Sequence, residues 1–309
     1  MKIESLLTET EIAEEFVEAL EARDLPEKFF YWSPLSVKAW LTFAEAAPYS
    51  SASDAWMTMV EGAQQWLTPG DDEVAVISLG AGSGAKDYSL VHAVQEAGHP
   101  VAYYPVDASQ ALLEKACAGA EDLDFETVGL KADISSPMHL VLAADVSDHA
   151  RIFLMNGNTL GGFDPLDQIQ HIAKILRPQD RLIIDAEIDL NHAEPSPSPV
   201  AKSFVFAPLA SIGVTLDHGY VQFERKTDER FDGLSLITRY FHAEQDLVMN
   251  AYGREIALQR SERVSLNFQY EYTPEGFRRL LTKKGGLEVI HETLGANGRY
   301  LIAVCSRPQ

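Results

Sequence analysis

Apolar residues in the middle of this chain come in short, closed runs. Positions 74–79, 102–106, 126–131, 150–155 and 181–187 each carry enough aliphatic or aromatic side chains for a strand buried on both faces. Amphipathic stretches at 87–97, 109–118 and 165–176 lie between them. That alternation predicts an α/β domain with a doubly wound, largely parallel sheet covered on both sides. Before it, residues 1 to about 70 have helical spacing: from 11 to 23, Ile12, Phe16, Ala19 and Leu20 share one stripe with carboxylates opposite. Pro26, Pro34 and Pro48 punctuate the next stretch, and a second amphipathic helix over 53–67 is expected to end at Pro69-Gly70.

After the fifth strand the rhythm breaks. Pro195, Pro197 and Pro199 alternate with serines, so 191–199 reads as a linker. The stretches 213–225, 233–243, 246–251, 255–260 and 262–272 have β-rich character with short turns, which predicts an antiparallel meander. Thr273 and Pro274 then suit the cap and first turn of a helix. Strands at 287–292 and 299–305 are expected to return to the main sheet as an antiparallel edge pair. The chain thus divides into an N-terminal helical cap (1–70), a core (71–190), a β-rich insertion (191–272) and a closing helix with two strands (273–309).

Bulk properties narrow the partners. The 309 residues are 46% apolar, with a formal net charge of −21. Such a surface repels polyphosphates and anionic lipids, so nucleic acid and membranes are disfavoured, which leaves a small molecule or a basic protein as partner. No apolar run reaches bilayer-spanning length, and the first residues lack a signal-peptide pattern. Two cysteines, Cys117 and Cys305, make no disulfide framework, so a cytoplasmic setting is expected, with both as small buried residues. The nine histidines lack zinc-site spacing, and no metal is expected. Oligomeric state is not set by the pattern.

The first strand runs into Gly80-Ala81-Gly82-Ser83-Gly84, and the second ends at Asp107. Glycines let a backbone pass close to a ligand, and an acid there receives two ribose hydroxyls, so an adenosine-bearing ligand is expected. A dinucleotide fingerprint starting at Gly80 would place its third glycine at position 85, where this chain has Ala85, followed by Lys86-Asp87. The G-x-G-x-G form resembles the first motif of class I S-adenosylmethionine-dependent methyltransferases, whose cofactor has no phosphate.

Several segments together resemble the histidine-specific methyltransferases of ergothioneine biosynthesis. Leu25-Pro26-Glu27-Lys28-Phe29-Phe30-Tyr31 is similar to that family's P-x-K-x-F-Y. Tyr103-Tyr104-Pro105-Val106-Asp107-Ala108-Ser109 is similar to Y-x-P-x-D-x-S, and Gly157-Asn158-Thr159-Leu160-Gly161-Gly162-Phe163-Asp164-Pro165 to G-x-T-I-G-N-x-x-P. The resemblance implies a class I methyltransferase fold, Rossmann-like, with an inserted β-rich substrate domain. S-adenosyl-L-methionine is then the cofactor and S-adenosyl-L-homocysteine the product. The substrate positions depart from the pattern. Gly162 stands where the family has an asparagine holding the substrate's amino acid end. If Tyr272 marks the tyrosine of E-x-S-x-K-Y, Asn267 and Gln269 replace the imidazole-binding Glu and Ser. Losing a buried polar contact costs ~1–3 kcal/mol, so three changes imply an acceptor other than histidine.

The expected cofactor residues are Gly80, Gly82, Gly84, Lys86, Asp107, Asp133 for the adenine amine, and Asn156. The lesser alternative for Asp133 is a loop residue in solvent, and for Asp107 a helix cap, although Ser109 suits that better. Asn156 and Asn158 lie where open α/β sheets hold ligands, and either could instead cap the helix near Asp164. Tyr31, within an aromatic cluster of Phe29, Phe30, Trp32 and Trp40, is the expected substrate tyrosine, whose ring would favour a developing cation. Glu187 is a base or counter-charge, or a surface residue. The leading expectation is N-methylation of a small amine or amino acid derivative. O-methylation, or cofactor binding without catalysis in a partner or regulator, are the alternatives.

Overall fold

A computed structural model describes residues 1–45, 48–67, 72–121, 123, 125–189 and 194–308. Strand β1 (Lys2–Ser5) and helices α1 (Glu9–Glu21), α2 (Pro34–Ala44) and α3 (Pro48–Glu61) lead to β2 (Val74–Leu79). Helix and strand then alternate through α4 (Asp87–Glu96), β3 (Val101–Asp107), α5 (Gln110–Ala120), β4 (Glu126–Lys131), α6 (Pro137–Ala144), β5 (Ala150–Met155), α7 (Pro165–Ile175) and β6 (Arg181–Glu187). Next come α8 (Pro199–Ala210) and strands β7 (Gly219–Thr227), β8 (Leu234–Ala243), β9 (Leu247–Ala251), β10 (Arg254–Leu258) and β11 (Arg263–Tyr272). The chain closes with α9 (Pro274–Arg279), β12 (Glu288–Leu294) and β13 (Tyr300–Ser306).

The eight-stranded sheet has the order β1-β4-β3-β2-β5-β6-β13-β12. Neighbours from β1 to β6 pair in parallel, and β13 lies antiparallel between β6 and β12. The two-residue period of the strands feeds two separate cores. Ile77, Leu79, Phe153 and Met155 face one side, with Leu140, Ile169, Ile172 and Phe277 packed over them. Val76, Ile152 and Leu154 face the other, under Trp56, Met59, Leu90 and Val94. The chain leaves β2 toward β3 on one side and later toward β5 on the other. A crevice therefore opens between their carboxyl ends, where such sheets hold ligands.

A third core joins the N-terminal elements to the later β segment. Ile12, Phe16 and Leu20 of α1 pack with Phe29, Phe30, Phe204, Phe241 and Leu266. A capping box starts α1: Thr8 accepts from the Glu11 amide, and Glu11 accepts from the Thr8 amide. The later strands form a three-stranded antiparallel sheet, β11-β8-β7, and a separate β9-β10 hairpin. Through Ile188 paired with Tyr272, and the Asp189 amide donating to the Tyr272 carbonyl, β11 is fastened beside the carboxyl end of β6.

Several expectations need correction. The N-terminal segment is not helical throughout, because residues 2–5 extend the main sheet by pairing with β4. Pro199 begins α8 rather than ending a linker: Ser198 accepts from the Ala201 amide, and proline suits the first turn because its missing N–H has no partner there. Residues 213–218 are not strand, and α6 was not anticipated. The expected helix stop at Pro69-Gly70 and the start of the linker at 191–193 lie outside the described residues. Cys117 and Cys305 are free and buried, as expected.

Candidate active site

The glycine loop after β2 takes three left-handed turns, with φ of 74° at Gly80, 56° at Gly82 and 72° at Gly84. Only glycine adopts these cheaply. A Cβ on Gly80 would also lie 2.9 Å from Thr159 Cγ2, so this loop and the loop after β5 approach as closely as glycine permits. Asp107, at the end of β3, fixes the loop: its Oδ2 accepts from the Gly82 amide at 2.9 Å, and its Oδ1 from the Ser109 amide at 2.8 Å. Burial pushes its carboxyl up to about 6, while those amides pull it down. Ser109, not Asp107, caps α5 by accepting from the Leu112 amide.

A cavity of ≈ 430 Å³ lies against this loop, walled by Gly80, Gly82, Lys86, Asp107, Asp133 and Asn156 among others. Asn156 follows β5, and both its amide atoms are buried with no partner among the described residues. Orphaned amide atoms in a cavity wall are ready for a ligand that supplies both a donor and an acceptor. Asp133 is buried, not solvated. Burial acts to raise its carboxyl, but the Lys28 ammonium at 2.7 Å and bonds from the Ser135 amide and hydroxyl hold it below the usual range. Lys86 stands at the start of α4, and its charge acts on Asp87 and Asp185. Asp185 in turn accepts from the Gly157 and Asn158 amides at 2.8 and 2.7 Å, fixing the turn after β5.

A second cavity, of ≈ 490 Å³, adjoins the first and shares Glu27, Tyr31, Trp40, Gly157 and Asn158 with it. Its far walls are Phe43 of α2, Phe204 of α8, Phe223 of β7, Arg239 of β8 and Gln269 of β11. Tyr31 belongs to both cavities, braced by Trp40 and Phe204 with ring centroids 5.2 and 5.6 Å away. Phe29 and Phe30 are packed in the core, while Trp32 points elsewhere, donating to Glu9 at 2.7 Å.

Glu27 was not anticipated as a site residue. Its carboxyl fills the space beside Gly162, where a Cβ would lie 2.6 Å from its carboxyl carbon. Tyr31 Oη donates to Glu27 Oε1 at 2.6 Å, and Asn267 Nδ2 donates to Oε2. Burial raises the carboxyl, and the Tyr31 bond and the Arg239 charge oppose that only in part. Asn267 sits at a bulge in β11 with φ of 60°, which aims its amide at Glu27. Gln269 donates to Glu187 Oε2 at 2.7 Å and accepts from Arg239 Nη2. Glu187 is thus inside the cavity, not on the surface, and burial, then the neighbouring Glu271, push its carboxyl up to about 7.

Asn158 is left-handed at φ of 56°; it donates to the Tyr270 carbonyl at 3.2 Å and accepts from the Glu187 amide at 3.1 Å. Neither Asn156 nor Asn158 caps α7, because Asp164 accepts from the Leu166 amide itself. Glu27 lay at the variable position of P-x-K-x-F-Y and carried no signal there. Arg239 did carry one: in β8 it shares the alternate face of Ile237 and Phe241, a charge in an apolar row.

No curated protein matches the chain in sequence. Among solved structures, an S-adenosylmethionine-dependent methyltransferase from Clostridium acetobutylicum is 12% identical, with 87% of this chain and 95% of that one covered and a TM-score of 0.42. The CcbJ methyltransferase of Streptomyces caelestis is 13% identical, covering 94% and 99%, TM-score 0.39. The amino pentose methyltransferase CalS10 of Micromonospora echinaspora is 13% identical, covering 88% and 96%, TM-score 0.39. The model of the histidine-specific, SAM-dependent methyltransferases matches residues 12–307. With that match spanning nearly its whole length, the chain belongs to the histidine-specific, S-adenosylmethionine-dependent methyltransferase family.

Proposed function

We propose that this methyltransferase N-methylates a small amine other than histidine. The observation that carries the reading is Glu27, a half-buried acid at the junction of the two cavities whose bonded partners, Tyr31 and Asn267, are neutral. A carboxylate so placed is stabilised by a cation, so an ammonium suits this wall and the carboxylate end of an amino acid does not. Gly162, Asn267 and Gln269 are the three positions that depart from the histidine pattern, and all three meet this wall or its continuation.

The first cavity fits S-adenosylmethionine. In this reading Asp107 receives the ribose hydroxyls, Gly80, Gly82 and Gly84 border the methionine part with Lys86 nearby, the Asn156 amide meets its polar end, and Asp133 accepts from the adenine amine. When bound, the cofactor supplies an electrophilic methyl that forms a bond to the acceptor nitrogen as its sulfonium becomes a thioether. The chain's own work is alignment and proton removal. Glu27 draws the ammonium to the junction and takes its proton, freeing the lone pair that attacks. Tyr31 orients Glu27 and flanks the nitrogen with its ring, and the aromatic walls exclude water. Glu187 adds a second acid deeper in the cavity.

The test is a set of matched amines and alcohols, with L-histidine alongside, each scored by mass spectrometry for methyl transfer. Amines should gain methyl groups and their alcohol counterparts should not. Preferred transfer to hydroxyls, or efficient methylation of histidine, overturns the reading.

A further inference from the structure

The second cavity holds two arginines with very different surroundings. Arg225 is answered by two acids, Asp189 at 2.7 Å and Glu271 at 2.8 Å. Arg239 is 9% exposed and lines the cavity, yet among the described residues the one bonded partner of its guanidinium is the neutral Gln269 Oε1. Its Nε is buried with no partner among those residues. A guanidinium presents five donors in a planar fork, and burying its charge without an anion is costly.

The neighbouring acids Glu27 and Glu187 feel the Arg239 charge through space, but neither bonds to its fork. Glu187 is separated from Arg239 by the Gln269 amide, which donates to the acid and accepts from the arginine. Glu27 is occupied by Tyr31 and Asn267. The cavity thus has an acid at the cofactor junction and, farther in, a guanidinium whose fork is bonded to no acid among the described residues. Phe204, Phe223 and Phe268 stand among the remaining walls.

Resting on the amine reading above, we infer that the acceptor is zwitterionic: its amine meets Glu27 at the junction, and a detached carboxylate pairs with the Arg239 fork. The polarity is the reverse of one in which a substrate's carboxylate sits at the loop residue now replaced by Gly162. A carboxylate there would face Glu27.

The probes are the proteinogenic amino acids together with β-alanine, γ-aminobutyrate and δ-aminovalerate. Each is paired with its primary amide, with the parent amine, with the hydroxy acid and with the aminophosphonate. Methyl transfer is measured for the wild type and for Arg239→Gln and Arg239→Lys. Binding to the S-adenosylhomocysteine complex is followed by calorimetry, and affinity for S-adenosylhomocysteine without acceptor serves as the check on folding. At least one amino acid should be methylated or bound tenfold better than its amide. Arg239→Gln should abolish that preference, raising KM more than it lowers kcat, and Arg239→Lys should keep part of it. Better use of the phosphonate would keep the anion site but replace its carboxylate, and so overturns the carboxylate assignment. Amides equal to acids, a preference surviving in Arg239→Gln, or no probe either bound or methylated overturns the inference. Methylation of hydroxy acids instead of amino acids would break the amine reading while leaving the Arg239 contact intact.

Discussion

At the scale of the residue, Asp107 bears the most weight in the proposed cofactor site. Its two oxygens already hold the glycine loop and the start of α5, so removing them loosens the loop as well as the ligand contact. Asp107→Ala is expected to weaken S-adenosylhomocysteine binding about 10–100-fold, the equivalent of charge-assisted hydrogen bonds worth ~1.5–3 kcal/mol. Calorimetry decides it, and unchanged affinity would remove this carboxylate from the site. Its place beside the glycine loop was legible in the sequence, because an acid closing the strand after such a loop ends next to it in this fold. Glu27 was not, because its meaning depends on a partner more than 200 residues away, and Arg239 showed only as a charge in an apolar row, with nothing to say that its bonded partner 30 residues away would be neutral. Charge alone says nothing about whether a side chain will end up buried without a counter-ion.

At the scale of the element, the site is made where the 3-10 turn Glu27–Phe30, the loop after β5 and the bulge of β11 converge. Gly162→Asn tests that convergence. The new side chain would displace the Glu27 carboxyl from its bonds to Tyr31 and Asn267, because the two cannot share the space. Overpacking of this kind costs ~1–3 kcal/mol, and turnover should fall with it. Adding Glu27→Ala should recover stability but not amine methylation. A single variant as stable and active as the wild type, followed by thermal unfolding and methyl transfer, would mean that the loop and turn do not press on one another. The strands of the main sheet were readable because burial on both faces leaves continuous apolar runs. β1 was not: four residues with a single half-buried side chain join the sheet through backbone pairing alone, which leaves no pattern in the side chains. α8 hid behind its own prolines, since Pro199 and the interior Pro208 argue against a helix until its apolar burial outweighs them.

At the scale of the whole molecule, buried acids tie stability to pH. Burial raises Asp87 and Asp107 to about 6 and, with Glu271 nearby, Glu187 to about 7. An acid with a raised native value ionises less readily folded than unfolded. The native state therefore holds extra protons between roughly pH 4, the ordinary carboxyl range, and pH 7. Stability should be highest at the acid end of that window and decline as pH rises through it, and the growing negative charge of this acidic chain acts in the same direction. The unfolding midpoint should thus be higher at pH 6 than at pH 8, with Glu187→Gln flattening part of the decline. A midpoint rising toward pH 8, or an unchanged slope in that variant, would contradict the burial assigned to these acids. Fold class and cofactor were legible at this scale because they rest on local motifs and periodicity. The chemistry of the second cavity was not, because α2, α8, β7, β8 and β11 build it from distant parts of the chain.

The most direct measurement is a mass-spectrometric assay of purified protein with S-adenosylmethionine, offering L-histidine in competition with zwitterionic amines and their hydroxy analogues. A methyl on the amine nitrogen, one S-adenosylhomocysteine released for each methyl transferred, and unmodified histidine are expected. Efficient methylation of histidine, or methyl groups found on the hydroxy analogues, would contradict the proposed amine methylation.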